Sequence, residues 1–576
     1  MANLYNKAGL VNIPIGYSDG FLYNIKPTDN TLAFRFNRDS SATRVNKQGL
    51  IEEVSYFGPE LVTNGDFATD SDWTLKPGSN ISGGSLNFDG TQTSTRNINQ
   101  SITSLDLTKI YKVTFTISNY TAGQVKVKIS NNASGKNKTA NGTYVQYLSG
   151  MTNTTLSITA SNGFAGSIDN VSVVEVLGDK PRIDYTDSLT SPSFLLEPQS
   201  TNLALNSNDL TNNTWTKQSA TTSSSTVVNP EGTSGASLYT CNNYTGSNQF
   251  FRINPNTTYD NDVSYSYSVF VKYNTFQFCK LSYMNFSIGE HFAAVFDIIN
   301  GTVTSTNIGG TPQNTSSKIE NFGNGWFRIS ISAAISSSSG NAMNFEFNKA
   351  PSGTPTFTLY GRTDQTTTTD DKVYVYGGQL EQLTYPTSYI PTGGSTATRV
   401  AETCNNAGST STFNDSEGVL YAEISALSNT SDSSKFISIS DGTYNNRASI
   451  LFSSGSTNQI RTFLRVGGVS QIDVSNNVTD VTDFNKVAFS YKENDFKVYI
   501  NGSLVSTGTS GSVWTSGTIT KLSLSEISKS AGLFNGNVKS VAVFKEALTD
   551  DELQQLTGPE YNSFAALAAA YNYTVI

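Results

Sequence analysis

Alternation of apolar and polar side chains with a period of two constrains this chain more than any other feature. In YKVTFTISNY, residues Tyr111, Val113, Phe115 and Ile117 share one face. In GQVKVKIS, Val125, Val127 and Ile129 do the same, with Lys126 and Lys128 opposite. VSYSYSVFVKY aligns Tyr265, Tyr267, Val269 and Val271. KVAFSYKENDFKVYING repeats the pattern twice, through Val487, Phe489 and Tyr491 and then Phe496, Val498 and Ile500. Successive side chains of a strand point to opposite faces, so this spacing marks half-buried antiparallel strands. The connecting stretches, such as TTSSSTVVN, are rich in residues that favour turns. The expected fold class is all-β: tandem β-sandwich or jelly-roll domains, with short helices only at the C-terminal end.

At about 150 residues per domain, 576 residues predict roughly four domains. Charged residues make up 14%, against about 25% in an ordinary domain, so Ser, Thr, Asn and Gly must supply the polar surface. An aromatic content of 11% excludes a disordered polar chain. A net charge of −9 without a basic patch argues against nucleic acid. Cys241, Cys279 and Cys404 are too few and too scattered for a disulfide framework, and no Cys-x-x-Cys pair suggests zinc. No apolar run approaches 18 residues, so no membrane insertion is expected. The opening MANLYNKAGLVNIPIG lacks the basic and apolar regions of a conventional signal peptide.

The pattern divides the chain as follows. Residues 1–56 form an N-terminal unit. A sandwich over 57–178 opens at ELVTNGDFATDSDWT and closes at GSIDNVSVVEV. A linker covers 179–206. A second sandwich over 207–390 opens similarly at SNDLTNNTWTK. A second linker, 391–409, leads to a domain over 410–548, in which Asn501-Gly502 supplies a tight hairpin turn with positive φ at both residues. The helical segment 549–576 begins at LTDDELQQLTG, where Thr549 and Glu552 form a capping box and Gly558-Pro559 is the stop. A second helix is expected over Tyr561–Tyr571, with Phe564, Leu567, Ala568 and Tyr571 on one face. Ala-Thr-Arg-Val occurs twice, at Ala42–Val45 and Ala397–Val400, each time at a module border. Arg44 and Arg399 are expected to tie strands of neighbouring modules through buried hydrogen bonds to carbonyls or carboxylates. A shared ancestral linker and a chance match are the alternatives.

Three phrases, RDSSATRVNKQGLIEEV, PRIDYTDSLTSPSFLLEPQSTNLALNSNDLTNNTWTK and GGQLEQLTYPTSYIPTGGSTATRV, resemble a phrase order of tailed-bacteriophage structural proteins. There such segments join carbohydrate-binding-module-like sandwiches. The start, AGLVNIPIGYSDGFLYNIKP, resembles the N-termini of such proteins, which commonly dock to the particle. LVTNGDFATDSDWT with GSIDNVSVVEV looks like the two ends of a galactose-binding-like or carbohydrate-binding-module jelly roll. KVAFSYKENDFKVYINGSLVSTG with FNGNVKSVAVFKEALTDDELQQL looks like a concanavalin-like, or laminin-G-like, domain. The resemblance implies a virion protein, a tail or head fibre, assembled in the host cytoplasm. It would be anchored to other virion proteins through residues 1–56, trimeric, and displaying lectin-like domains for host-surface glycan. The alternative is a purely architectural virion protein, either capsid-decorating or tail-associated. A leaderless bacterial adhesin or glycan-active enzyme is the third reading.

Candidate chemistry is sparse. His291, in SIGEHFAAVFD, is the only histidine and fits a structural place in a strand. No nucleophile elbow or phosphate loop is present, no repeat marks a glycan-cleaving β-helix, and the expectation is a binding protein without catalysis. Sugars are held by exposed aromatic rings with Asn, Asp and Gln at the rim. Trp73, Trp215 and Trp326 adjoin strand patterns and are expected in cores. Trp514, in the Gly/Ser-rich SGSVWTSGTI, is the candidate carbohydrate-binding residue. By resemblance to sandwiches of this kind, Asp66 and Asp169, with carbonyl oxygens, are the candidate ligands of a structural calcium.

Overall fold

The computed structural model describes residues 2–18, 21–27, 32–253, 260, 262–336, 343–429, 434–527 and 532–559. The expected helix Tyr561–Tyr571 lies outside them. Within the described residues the chain is nearly all β. It divides into two compact units, residues 55–178 and residues 1–54 together with 179–576.

The 55–178 unit is a sandwich. One sheet carries Gly142–Leu148, Tyr111–Ala122, Ala165–Val176, Leu86–Asp89 and Ser79–Ile81 in that order, with Phe57–Glu60 also on Ala165–Val176. The other carries Ala133–Ser134, Val125–Ile129, Thr155–Ala160 and Arg96–Ser101. The period-two residues Val113, Phe115, Ile117, Val125, Val127 and Ile129 all enter its core.

In the second unit, residues from Trp215 to Glu381 form a larger sandwich of two six-stranded sheets. Both sandwiches open with the same device. Trp73 Nε1 donates to Asn64 O at 3.0 Å, and Trp215 Nε1 donates to Asn206 O at 3.2 Å. Asn64 and Asn206 have φ of 52° and 51°, the left-handed region that Asn tolerates better than most residues. The Asn-rich approach to each tryptophan therefore turns the chain so that the indole enters the core with its N–H satisfied.

The C-terminal domain pairs a long sheet with a five-stranded one across a single core. The expectation of a separate unit over 1–56 is corrected here. The long sheet runs Thr403–Asn405, Phe34–Asn37, Phe21–Lys26, Ala8–Ser18, Gly536–Phe544, Glu417–Ala426, Asn485–Lys492, Asp495–Ile500 and Ser503–Gly508. Leu10 pairs with Val543 and Asn12 with Val541, while Leu10, Leu22, Phe34 and Phe36 are buried in the domain's core. The N-terminal strands pair with Thr403–Asn405 and Gly536–Phe544, hundreds of residues later, a pairing that local patterning does not encode. The first linker also adds strands, Arg182–Asp184 and Ser193–Leu196, beside Gly536–Phe544. Asn501 and Gly502 turn the expected hairpin with φ of 50° and 84°. Helix Asp550–Thr557 starts at a complete Thr549/Glu552 capping box and buries Leu553 and Leu556 against the long sheet.

Candidate functional site

The five-stranded sheet of the C-terminal domain has the order Val469–Asn477, Gln459–Val466, Arg447–Phe452, Lys435–Ser440 and Lys521–Ser523. One face is core: Ile437, Ile439, Ala448, Ile450, Ile460 and Leu464. Period-two geometry sends the intervening residues to the other face. Cross-strand pairing aligns them in rows. Lys521, Ser440, Arg447, Arg465 and Ser470 form one row, and Ser523, Ser438, Ser449, Phe463 and Asp473 the next. Phe436, Leu451, Arg461 and Ser475 form the third. Ser438, Ser440, Ser449 and Ser523 on this face are fully buried, and Phe463 lies at the middle of three arginines.

The guanidinium carbons of Arg447, Arg461 and Arg465 lie 5.0, 5.5 and 5.6 Å from the Phe463 ring centroid. Arg447 is also 5.0 Å from the ring of Tyr444, which is 44% exposed. Arg461 is tied to Asp473 on the next strand. Arg447 makes one ion pair, Nη2 to Glu526 Oε1 at 2.9 Å. Its Nε and Nη1, and Nε of Arg465, are buried without a hydrogen-bond partner among the described residues. Burial holds the Arg447 guanidinium below its usual range; Glu526 acts in the opposite direction and Arg465, a like charge, adds to the depression. The arrangement is a partly neutralised cation cluster with unused donors beside an exposed aromatic ring. The signal is in RTFLR, where Thr462 and Leu464 face the core while Arg461, Phe463 and Arg465 share the opposite face.

The repeated Ala-Thr-Arg-Val phrases lead to a different kind of site. Arg399 is 1% exposed. It pairs with Glu197 Oε2 at 2.9 Å and donates to Pro198 O at 2.7 Å. It belongs to a buried network with Arg38, Arg182, Glu197 and Glu402. Arg182 reaches Glu197 Oε2 at 2.6 Å and both oxygens of Glu402, while Arg38 Nη1 lies 2.8 Å from Glu402 Oε1. Burial alone would raise the Glu197 carboxyl; the Arg399 and Arg182 guanidiniums outweigh it and hold it down to about 2. Arg44 differs from Arg399. It is half-buried, pairs with Glu52 inside its own hairpin, and donates to Ile183 O at 3.2 Å. The five network residues come from the N-terminal strands and both linkers, so the network clamps these segments together. A cleft of about 340 Å³ borders it, lined by Arg44, Asp187, Glu197, Lys318, Glu320 and Arg328 among others. Lys318 pairs with Glu320 at 2.8 Å and Arg328 donates to Thr387 O at 2.7 Å, so much of its charge is spent on the scaffold.

Trp514, the expected sugar platform, is corrected by its position: it is 4% exposed and part of the C-terminal core. Its N–H donates to Arg465 O at 2.7 Å and its ring meets Tyr491 edge-on at 5.3 Å, so neither ring face is open to a sugar. The Gly/Ser-rich setting predicts an exposed loop or strand end, whereas the indole plugs the sandwich from that loop. Trp73, Trp215 and Trp326 are buried as expected. His291 is buried, its ring nitrogens 2.9 Å from Gly289 O and 2.7 Å from Asn307 Oδ1. Asp66 and Asp169 lie on segments that meet, since Val171 N–H donates to Gly65 O at 2.8 Å. Each carboxylate is used locally: Asp66 accepts from Ala68 N–H, and Asp169 accepts from Asn170 N–H at 2.6 Å. Among the described residues no group of three or more His, Cys, Asp or Glu side chains is placed to hold a metal. In the larger sandwich, Arg252 and Arg362 both pair with Glu346, and Lys280 donates to Gly361 O at 2.7 Å. These contacts hold the segment around Leu359–Gly361 across the outer sheet face.

The family of concanavalin A-like lectins and glucanases matches residues 406–554. Those residues form a concanavalin A-like domain. The matched span begins after the N-terminal strands that complete its long sheet. No curated protein matches the chain. Among solved structures, the carbohydrate-binding module of a Ruminococcus gnavus sialidase, bound to α2,3-sialyllactose, is similar at 17% identity and a TM-score of 0.23. The match covers 27% of this chain and 94% of that one. Domain 4 of an extracellular arabinanase from Geobacillus stearothermophilus, in complex with arabinotriose, is similar at 16% identity and a TM-score of 0.22, covering 28% and 77%. A leech intramolecular trans-sialidase is similar at 19% identity and a TM-score of 0.23, covering 28% and 27%.

Proposed function

We propose that this chain is a glycan-binding adhesion protein and that the outer face of its five-stranded C-terminal sheet is the binding face. The observation that carries the proposal is a concanavalin A-like domain whose outer sheet face holds unused guanidinium donors beside the exposed ring of Tyr444. Sugar rings need both an apolar surface to stack on and directed hydrogen-bond donors. The 55–178 unit adds an open face of its own, with Tyr147 59% and Val145 50% exposed across from Lys112 and Thr114. The proposal includes a tailed-phage virion as the setting, on the strength of the linker phrases. It also includes a role in binding without catalysis, and a homotrimer whose copies convert weak contacts into firm adhesion. The N-terminal strands complete the C-terminal sheet, so any docking to a particle would involve this domain rather than a free-standing anchor.

The test is biolayer interferometry of the full chain against purified bacterial-surface polysaccharides, with Arg465→Ser compared. The expected result is binding to at least one polysaccharide, weakened at least tenfold by the substitution. Binding to no polysaccharide overturns the glycan reading and leaves the architectural one.

A further inference from the structure

Arg447 sits in an unusual state for a buried arginine. It is 4% exposed, yet two of its three nitrogens, Nε and Nη1, donate to nothing among the described residues. Arg465 is opposite it on the adjacent strand, with its own Nε likewise unpartnered. A buried donor without an acceptor costs free energy, and one attached to a charged group costs more. The local acids do not close the account. Glu526 takes only Nη2 of Arg447, and Asp473 is committed to Arg461. Among the described residues, three guanidiniums thus face two carboxylates around one Phe463 ring. Each unused guanidinium N–H can donate a charge-assisted hydrogen bond to a carboxylate oxygen, stronger than one to a neutral acceptor. Tyr444 is exposed against the Arg447 guanidinium, while the neighbouring Ser438 and Ser449 are fully buried with their hydroxyls bonded to each other at 2.7 Å. An exposed aromatic ring beside the donors suits a sugar, which stacks its apolar face on it, better than it suits an acidic peptide, which does not need one.

Resting on the glycan-binding reading, we infer that this face takes an acidic glycan, a sugar whose carboxylate occupies the unused donors of Arg447 and Arg465 while its ring stacks on Tyr444. For the carboxylate to reach Nε and Nη1, the Tyr444 side chain swings off the guanidinium and becomes the wall of the opened site.

The experiment uses the full chain and one uronic-acid polysaccharide in two forms, native and carboxyl-reduced, in which each carboxylate has become a primary alcohol. Polyglutamate is the third probe. Binding is read by interferometry at low and physiological salt. The expected result is at least tenfold tighter binding to the native polymer than to its carboxyl-reduced form, with weaker binding to polyglutamate. Arg465→Met and Tyr444→Ala each remove that preference; both residues are partly exposed, and an unchanged melting temperature confirms that each variant is folded. Equal binding to native and reduced polymer overturns the acidic class but leaves the glycan reading standing. Polyglutamate binding as tight as the polysaccharide overturns the inference in favour of unspecific charge. Binding to neither this polymer nor any other polysaccharide overturns both.

Discussion

The two Ala-Thr-Arg-Val phrases allow one motif to be tested in two environments. Arg399→Met removes a side chain that is 1% exposed and leaves Glu197 with one arginine fewer inside the network. Removing one member of a buried ion pair costs about 3–5 kcal/mol, because its partner stays desolvated without full compensation. Arg44→Met removes a pair whose side chains are 26% and 38% exposed, for which the cost is about 0–1 kcal/mol. The entropy of unfolding is about 2.1 cal/mol/K per residue, or about 1 kcal/mol/K over the roughly 450 residues of this unit. The melting temperature should therefore fall by about 3–5 °C for Arg399→Met and by less than about 1 °C for Arg44→Met. Differential scanning calorimetry of the full chain reads both. Limited proteolysis should release the N-terminal strands first in the Arg399 variant, since the network ties them to the linkers. Equal shifts for the two variants, or no shift for Arg399→Met, would refute the assignment of the clamp.

Three further outcomes follow from the same structure. The Glu197 carboxyl is held at about 2 against an ordinary 4.5, so its contribution is complete above about pH 4.5 and lost as pH falls towards 2. That contribution is on the order of 3 kcal/mol, and urea midpoints measured across this window in wild type and Glu197→Gln should converge at the acid end. All three cysteines are free and buried, and burial pushes the Cys241 thiol up to about 12; Ellman's reagent should find no fast-reacting thiol in the native chain and three in denaturant. Trp514→Ala should destabilise the C-terminal domain by about 3–5 kcal/mol, as a core deletion does, and a marginal change in the urea midpoint would mean the indole is not a core residue.

The strands were legible in the sequence because their signal is local. Val113, Phe115 and Ile117 had to face one way, and they do. The capping box at Thr549 and the hairpin at Asn501-Gly502 were legible for the same reason: each is chemistry within four residues. Sheet partners were not. The register of Leu10 with Val543 depends on which edge is free after the rest of the domain has formed, and no window of sequence contains both. The Arg399 clamp was half legible. Its position at a border suggested a tie, but Glu197 and Glu402 were not identified as the acceptors, because they come from different linkers. The place of Trp514 is not legible, because loop composition predicts exposure whereas a loop can insert its one large side chain into the core. Arg447, Arg461 and Arg465 are not legible as a cluster, because charged residues on a strand usually mark a solvated face. The burial of Arg447 depends on Phe463, Tyr444 and Glu526 gathering around it.

The account's central claim is that the outer face of the five-stranded C-terminal sheet binds glycan. Hydrogen–deuterium exchange of the full chain, with and without the tightest-binding polysaccharide, tests it most directly. The account predicts slowed exchange at the Asp441–Asn446 turn and along strands Arg447–Phe452 and Gln459–Val466. Slowed exchange confined to other parts of the chain, with these segments unchanged under saturating polysaccharide, would contradict it.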